Sequence, residues 1–488
     1  NGYNFTIYEN SPEDHTVAVD PEMLGSIFEN LLEDNKDKGA FYTPKEIVHF
    51  MTQESLIEYL NTHLNNTTKE QIENLVKNQV LDNISNPDLI TIEKLIDEVK
   101  VCDPAIGSGA FPMGLLQEVF SLKAFIHFAL DRPQNKWFPA QIKQNIIQNS
   151  IYGVDLEEDA VDIARLRFWL SLVVDEDKPK PLPNLDYKIM QGNSLLESFE
   201  GIPLNNSNLF NEPTDRNITL FEEPIEDYGL GDDIKKLMKD YYNPKNYKKK
   251  QAIHKAIDKK VIDYIDKCLE GFENQKLIEL AGAKQTLKRK TELKQKTETI
   301  LKDINQIEVT LSSKINARKK LVEFEQNSER PYFLWKLFFQ DVFDNDGFDI
   351  VIGNPPYVQL QKMKEEATKL EGEKYTTFRR TGDIYTLFYE KGNSILKPQG
   401  ILSYITSNTW MRTKFGEGLR EYFVDKTNII SLLNFEDTQI FPSATVEVNI
   451  LLSKKEKWDN KIRATAIKDD YKKGTDISDY EKNNHLIL

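Results

Sequence analysis

Val101-Cys102-Asp103-Pro104-Ala105-Ile106-Gly107-Ser108-Gly109-Ala110-Phe111 decides the fold of this chain. A short apolar run ends on an acid, turns through two glycines and enters an apolar helix. Glycines let a backbone come close to a ligand, and a carboxylate at the strand end can hold an ammonium or a hydroxyl there. The same order returns at Ile151 to Asp155, a second strand ending on an acid, with a helix expected over 159–172. Further strands are expected at 187–190, 348–352, 400–406, 429–435 and 446–452. Strands alternating with helices in this way specify an α/β fold with a doubly wound sheet.

Upstream, residues 20–75 read as helices interrupted at Tyr42-Thr43-Pro44, where the proline sets the start of a helix through Glu46, Ile47, Phe50 and Met51. The stretch from there to residue 98 reads as loop-rich. About 160 residues separate the third strand from the fourth, so something is inserted between them. Residues 201–244 are acidic and turn-rich. Beyond them Leu280, Leu287, Leu293, Leu301, Ile304, Ile307, Leu311, Ile315 and Leu321 recur at near-heptad spacing, which predicts either one helix of roughly 70 Å or a helical hairpin if it breaks.

At 488 residues the chain is long enough for two or three compact parts. The hydrophobic fraction is 39% and no apolar run approaches the roughly 20 residues of a membrane span, so a cytoplasmic location with no membrane anchoring is expected. Two cysteines, Cys102 and Cys268, and six scattered histidines make neither a disulfide framework nor a metal cluster. The net charge is -15, yet residues 245–330 hold 21 Lys and Arg against 13 Asp and Glu, which leaves -23 on the rest. Nucleic-acid contact must therefore be local. The opening residues lack an initiator Met and begin at once on a strand-like pattern, which reads as a fragment of a longer protein.

Asp155 stands where the acid after the second strand of a dinucleotide site accepts ribose hydroxyls, although taken alone it is an ordinary helix cap. Gly192-Asn193-Ser194-Leu195 follows the third strand. The most specific string is Ile352-Gly353-Asn354-Pro355-Pro356-Tyr357. An aromatic amine is a poor nucleophile because its lone pair is delocalised into the ring. If the Asn354 side-chain oxygen and the Pro355 carbonyl both accept hydrogen bonds from it, the nitrogen is drawn toward tetrahedral geometry and its lone pair is freed. The two prolines fix the direction of the carbonyl.

On these strings the chain resembles the gamma-class N(6)-adenine DNA methyltransferases, most closely the methyltransferase portion of type IIG restriction-modification enzymes, over roughly residues 20–200 and 345–453. Asp103 to Phe111 matches motif I, which wraps the methionine half of S-adenosyl-methionine. The resemblance implies a cofactor site of Tyr42, Thr43 and Pro44 (motif X), Asp103, Ala105, Gly107, Gly109, Phe111, Asp155, Asn193, Ser194, Asn354 and Asp383. Asn193 departs from the family's usual acid. Gly382-Asp383-Ile384-Tyr385-Thr386-Leu387-Phe388 fits motif V, and Tyr404-Ile405-Thr406-Ser407-Asn408-Thr409 fits motif VI. The implied catalytic set is Asn354, Pro355, Pro356 and Tyr357, with Phe441 of Ile440-Phe441-Pro442 packing beside Tyr357 on a flipped-out adenine.

The expected partner is double-stranded DNA, with a nuclease and a target-recognition domain outside this segment. The expected divisions are a helical region 1–98, a methyltransferase domain in two parts at 99–200 and 346–455, an insertion 201–345 and a linker 456–488. Protein glutamine and ribosomal RNA methyltransferases share the Asn-Pro-Pro-Tyr string and form the alternative. Pro87-Asp88 followed by Glu98-Val99-Lys100 has the form of a metal-dependent nuclease motif. It is set aside because Lys100 runs straight into the first strand.

Overall fold

Pro44 carries its φ of -57° into the first helix, α1 (Lys45–His63), and α2 (Lys69–Asn78) follows behind a Thr68–Gln71 capping box. The computed structural model describes residues 43–175, 185–204, 230–242, 249–327, 331–436, 440–441, 446–468, 471 and 476–487. The stretch read as loop-rich contains α3 (Asn86–Glu98), started by the Ser85 side chain and Pro87. Its short apolar stripe of Leu89, Ile92 and Ile96 is buried, and the turn signals around it masked the period. Asp88 lies in the first turn of α3 and Glu98 at its end, about 15 Å apart along the axis, too far to share a metal ion.

Two strand-helix steps and a third strand come next: β1 (Val101–Asp103) into α4 (Ala110–Ala129), then α5 (Pro139–Ser150), then β2 (Ile151–Asp155) into α6 (Glu158–Val173), and β3 (Ile189–Gln191). The small β4 (Ser198–Phe199) and β5 (Ile202–Pro203) pair antiparallel with each other, outside the main sheet. The helices α7 (Leu230–Tyr242), α8 (Lys250–Glu292) and α9 (Glu298–Asn327) precede β6 (Phe348–Gly353). After β6 come α10 (Lys364–Gly372), α11 (Tyr385–Ile395), β7 (Leu396–Ser407), α12 (Glu417–Lys426), β8 (Asn428–Phe435), β9 (Val448–Lys454), β10 (Arg463–Ile467), α13 (Ile477–Asn484) and β11 (Leu486–Ile487).

Among the described residues the main sheet has nine strands in the order β11-β10-β8-β9-β7-β6-β1-β2-β3. From β1 the chain steps outward in parallel through β2 to β3, then returns to the other side of β1 with β6 and continues to β7. β9 is antiparallel to both neighbours. The direction of winding therefore reverses between β1 and β6, and ligands bind at the carboxyl ends of strands at such a switch point.

The chain divides into two compact units, Leu196–Gln340 and the remainder. The insertion boundaries thus fall about five residues earlier than the expected 201 and 345. Within the inserted unit the near-heptad register does not make one rod: it breaks at 293–297 and doubles back as the hairpin of α8 and α9. Ile257, Val261, Tyr264, Ile265, Cys268 and Leu269 are buried on α8, whereas Leu277, Ile278, Leu293 and Leu301 are exposed. Of the heptad residues Ile304 and Leu321 are buried while Leu293 and Leu301 are exposed, and the buried stripe of α8 lies ahead of the heptad stretch.

Residues 456–488 are not a linker. β10 adds in parallel to β8, and Arg463 reaches the buried Glu54 of α1, while Glu481 of α13 accepts from Ser431 at 2.7 Å. The short Arg-Ala-Thr-Ala-Ile run carries too little apolar content to read as a strand without its partner. Nor is the helical region 1–98 separate in its described part, since α1, α2 and α3 contribute to the same hydrophobic core as β1, β6 and β9.

Candidate active site

The residues of the first motif are held by their own backbone. Ala105 N–H donates to Asp103 Oδ1 at 3.0 Å, Ile106 N–H to the Val154 carbonyl at 3.0 Å, and Gly107 N–H to Asp155 Oδ2 at 2.8 Å. Gly109 stands before α4 at φ 85°, a left-handed conformation that suits glycine. Phe111 faces the core, and the buried Arg167 of α6 donates to the Ser108 carbonyl at 2.8 Å. Arg167 was not foreseen; its one signal is a cation on the apolar face of its helix. Ser194 Oγ donates to the Pro104 carbonyl at 2.6 Å, and Asn193 Oδ1 accepts from Leu195 N–H at 3.1 Å. Ser194 thus braces the loop floor, while Asn193 closes its own turn.

The switch point brings this loop to the Asn-Pro-Pro-Tyr segment. A Cβ on Gly353 would lie 2.6 Å from Asp103 Oδ1, so only glycine fits at the end of β6. Beyond it Asn354 Nδ2 donates to Thr43 Oγ1 at 3.1 Å, and the Tyr357 hydroxyl donates to Asn354 Oδ1 at 2.7 Å, with the Ile405 carbonyl 3.2 Å away. Pro355 is buried. The Tyr357 ring meets Tyr385 edge-on at 6.0 Å between centroids and Phe441 at 6.4 Å. Phe441 is itself fully buried in the core. Phe441 thus lies in the core and beside Tyr357 at once.

Segment 358–360 is tied to 382–384: Leu360 N–H donates to the Gly382 carbonyl and Ile384 N–H to the Val358 carbonyl, both at 2.9 Å. This places Asp383 opposite Gln359, where burial pushes its carboxyl up. Tyr385, whose hydroxyl pairs with Thr409 at 2.9 Å, was quoted within its motif but not singled out. Tyr42 and Pro442 lie outside the described residues.

The electrostatics favour a cationic guest. Asp103 is buried, and its carboxyl is pushed well up, first by burial and then by nearby Asp155, against one stabilising hydrogen bond from Ala105. An ammonium or sulfonium group would offset that cost. Asp155 is likewise raised by burial, though the Glu157 and Gly107 N–H groups oppose the shift. Its oxygens keep lone pairs for a diol. The residues therefore fit S-adenosyl-methionine.

The Eco57I restriction-modification methylase model matches residues 149–441, more than half of the chain. The chain belongs to that family. A relative from Methanocaldococcus jannaschii, named for a type II restriction enzyme and methyltransferase, is 26% identical over 450 residues, which is 86% of this chain and 36% of that protein. The type II restriction enzyme and methyltransferase RM.Eco57I of Escherichia coli is 31% identical over 129 residues, covering 25% of this chain and 13% of its own. The type II methyltransferase M.BstVI of Geobacillus stearothermophilus is 29% identical over 110 residues, 22% and 19% respectively. This Eco57I-family methylase thus spans about a third of the first of these relatives and less of the other two. Among the described residues no helix is long and apolar enough to cross a membrane.

Proposed function

We propose that this methylase transfers a methyl group from S-adenosyl-methionine to the exocyclic amine of an adenine turned out of double-stranded DNA. The observation that carries the reading is the junction of Asp103 and Asn354 across the β1–β6 switch point, one group suited to a cation and the other to an amine. When bound, the cofactor supplies an electrophilic methyl on a sulfonium. The chain's own part is to bind and orient. The loop 103–109 cradles the methionine half, and Asp155 takes the ribose hydroxyls. Asn354 Oδ1 and the Pro355 carbonyl would accept both amine protons, so that the nitrogen lone pair points out of the ring plane. Tyr357, braced by Tyr385 and Phe441, offers a face for the base. The ammonium product is acidic enough to lose its proton without a dedicated base.

The family and its relatives' names favour DNA over the glutamine and ribosomal RNA alternatives that share Asn-Pro-Pro-Tyr. Within the reading, the expected gamma-class order and a type IIG whole protein, with nuclease and target-recognition parts elsewhere, remain our proposal. The basic hairpin α8–α9 would supply backbone contacts to the duplex. A labelled-methyl assay on duplex DNA, RNA and release factor, with the modified base identified by mass spectrometry, tests the assignment. N(6)-methyladenine is expected, and label in RNA or protein alone would overturn it.

A further inference from the structure

We propose that Thr43 is a positioning residue for methyl transfer, its hydroxyl oxygen accepting from the Nδ2 end of Asn354 and so holding, together with Tyr357, the Oδ1 end toward the target amine. The inference rests on the proposed function. An asparagine amide has two ends of nearly equal size and opposite chemistry: the oxygen accepts, the nitrogen donates. Turned the wrong way, Asn354 would present N–H to N–H and draw nothing from the substrate. Something must choose.

Tyr357 contributes one half of the choice. Its hydroxyl stands 2.7 Å from Asn354 Oδ1 and 3.2 Å from the Ile405 carbonyl, and only the first lies in the normal range for an O–H···O bond. The single proton is therefore directed at Asn354. Thr43 contributes the other half by accepting from Asn354 Nδ2 at 3.1 Å. Its rotamer is stiff because Cβ is branched, and its backbone is restricted by the following Pro44. Thr43 is only 4% exposed, so water is poorly placed to replace it. The cofactor role expected of Thr43 from motif X predicts a different phenotype.

The test uses the full chain with Thr43→Val, which keeps the shape and removes the acceptor, and Thr43→Ser, which keeps the hydroxyl. Three quantities are measured: single-turnover methyl transfer at saturating cofactor and duplex, the dissociation constant of S-adenosyl-homocysteine by calorimetry, and the Asn354 side-chain amide resonances in asparagine-labelled protein. Thr43→Val is expected to slow transfer by roughly ten- to a hundredfold with cofactor affinity unchanged, and to shift the Asn354 amide signals. Thr43→Ser should recover most of the rate, and Thr43→Val should add little in an Asn354→Ala background. Weakened cofactor binding with a wild-type rate at saturation would make Thr43 a cofactor ligand and overturn the proposal. So would unmoved amide signals, or an equal loss in the Asn354→Ala background. A wild-type chain that methylates no DNA would instead sink the functional reading.

Discussion

Asn354 and Asp155 make opposite demands on kinetics. Asn354→Ala removes the acceptor proposed to act mainly in the transition state, so methyl transfer is expected to fall by orders of magnitude while cofactor affinity barely changes. Asp155→Ala removes the proposed ribose partner and also releases Gly107 N–H. Cofactor affinity should drop, with the saturated rate largely kept; a wild-type dissociation constant would make Asp155 a loop brace only. Asp103 adds a pH dependence. Its folded pKa is raised, so the apo protein is favoured by the protonated form and loses that stability as pH climbs through the raised value. The cofactor's ammonium prefers the carboxylate. Cofactor affinity should therefore rise with pH over the window from the ordinary carboxylate range up to Asp103's raised value. Calorimetry at several pH values checks this, and a flat profile would show that Asp103 carries no such pairing.

The helix α1 is anchored by charge as well as by apolar contact. Glu54 and Glu58 are buried on it, Glu54 beside Lys77 at 2.5 Å and Glu58 beside Lys69. Burial works against the Glu54 charge, but Lys77, Arg463 and Lys69 outweigh it and hold the carboxyl below its ordinary value. That stability is present above the unfolded carboxylate pKa and is lost as pH falls through the depressed one. Lys77→Met removes the nearest counter-charge of Glu54 and is expected to cost about 3 kcal/mol at neutral pH, with the penalty fading in acid as Glu54 protonates. Denaturation at pH 7 and pH 4 measures it. In the hairpin, residues 284–302 hold seven Lys and Arg against two Glu, on the exposed turn between α8 and α9. Neutralising Lys288, Arg289, Lys290, Lys294 and Lys296 should make DNA binding less sensitive to salt, the slope falling by about one unit for each phosphate that is no longer neutralised, with the saturated rate unchanged. An unaltered slope would remove the hairpin from the interface.

These elements also show what the sequence discloses. β1, β2 and β6 were legible because each is apolar and ends on a chemically marked turn. The third helix was hidden behind its own turn residues, and β10 is too polar to declare itself without β8. Thr43 was legible as a motif, yet its contact with Asn354 is not, since no local pattern reports a partner 311 residues away.

For the whole molecule the expectation concerns recognition. The chain is strongly acidic outside the insertion, and backbone contacts position a duplex without reading it. Residues 1–488 should bind DNA weakly, with a steep salt dependence and little sequence preference, and transfer methyl groups in the presence of EDTA, because the amine's activation by acceptors calls for no ion. Binding to random and cognate duplexes at two salt concentrations decides the first point. Tight, salt-resistant, site-specific binding would place a reader inside this segment. The same long Thr43–Asn354 link has a consequence for biosynthesis. At roughly 5 to 20 residues per second, a ribosome needs roughly 15 to 60 seconds to travel between the two positions. Throughout that interval α1 exists without β6 and β7, while α8 and α9, joined by a short turn, pack chiefly on each other and on α7. The inserted hairpin can take shape during translation, whereas the side of α1 that meets β6 and β7 must wait for strands made long after the helices α2 and α4 that cover its other sides.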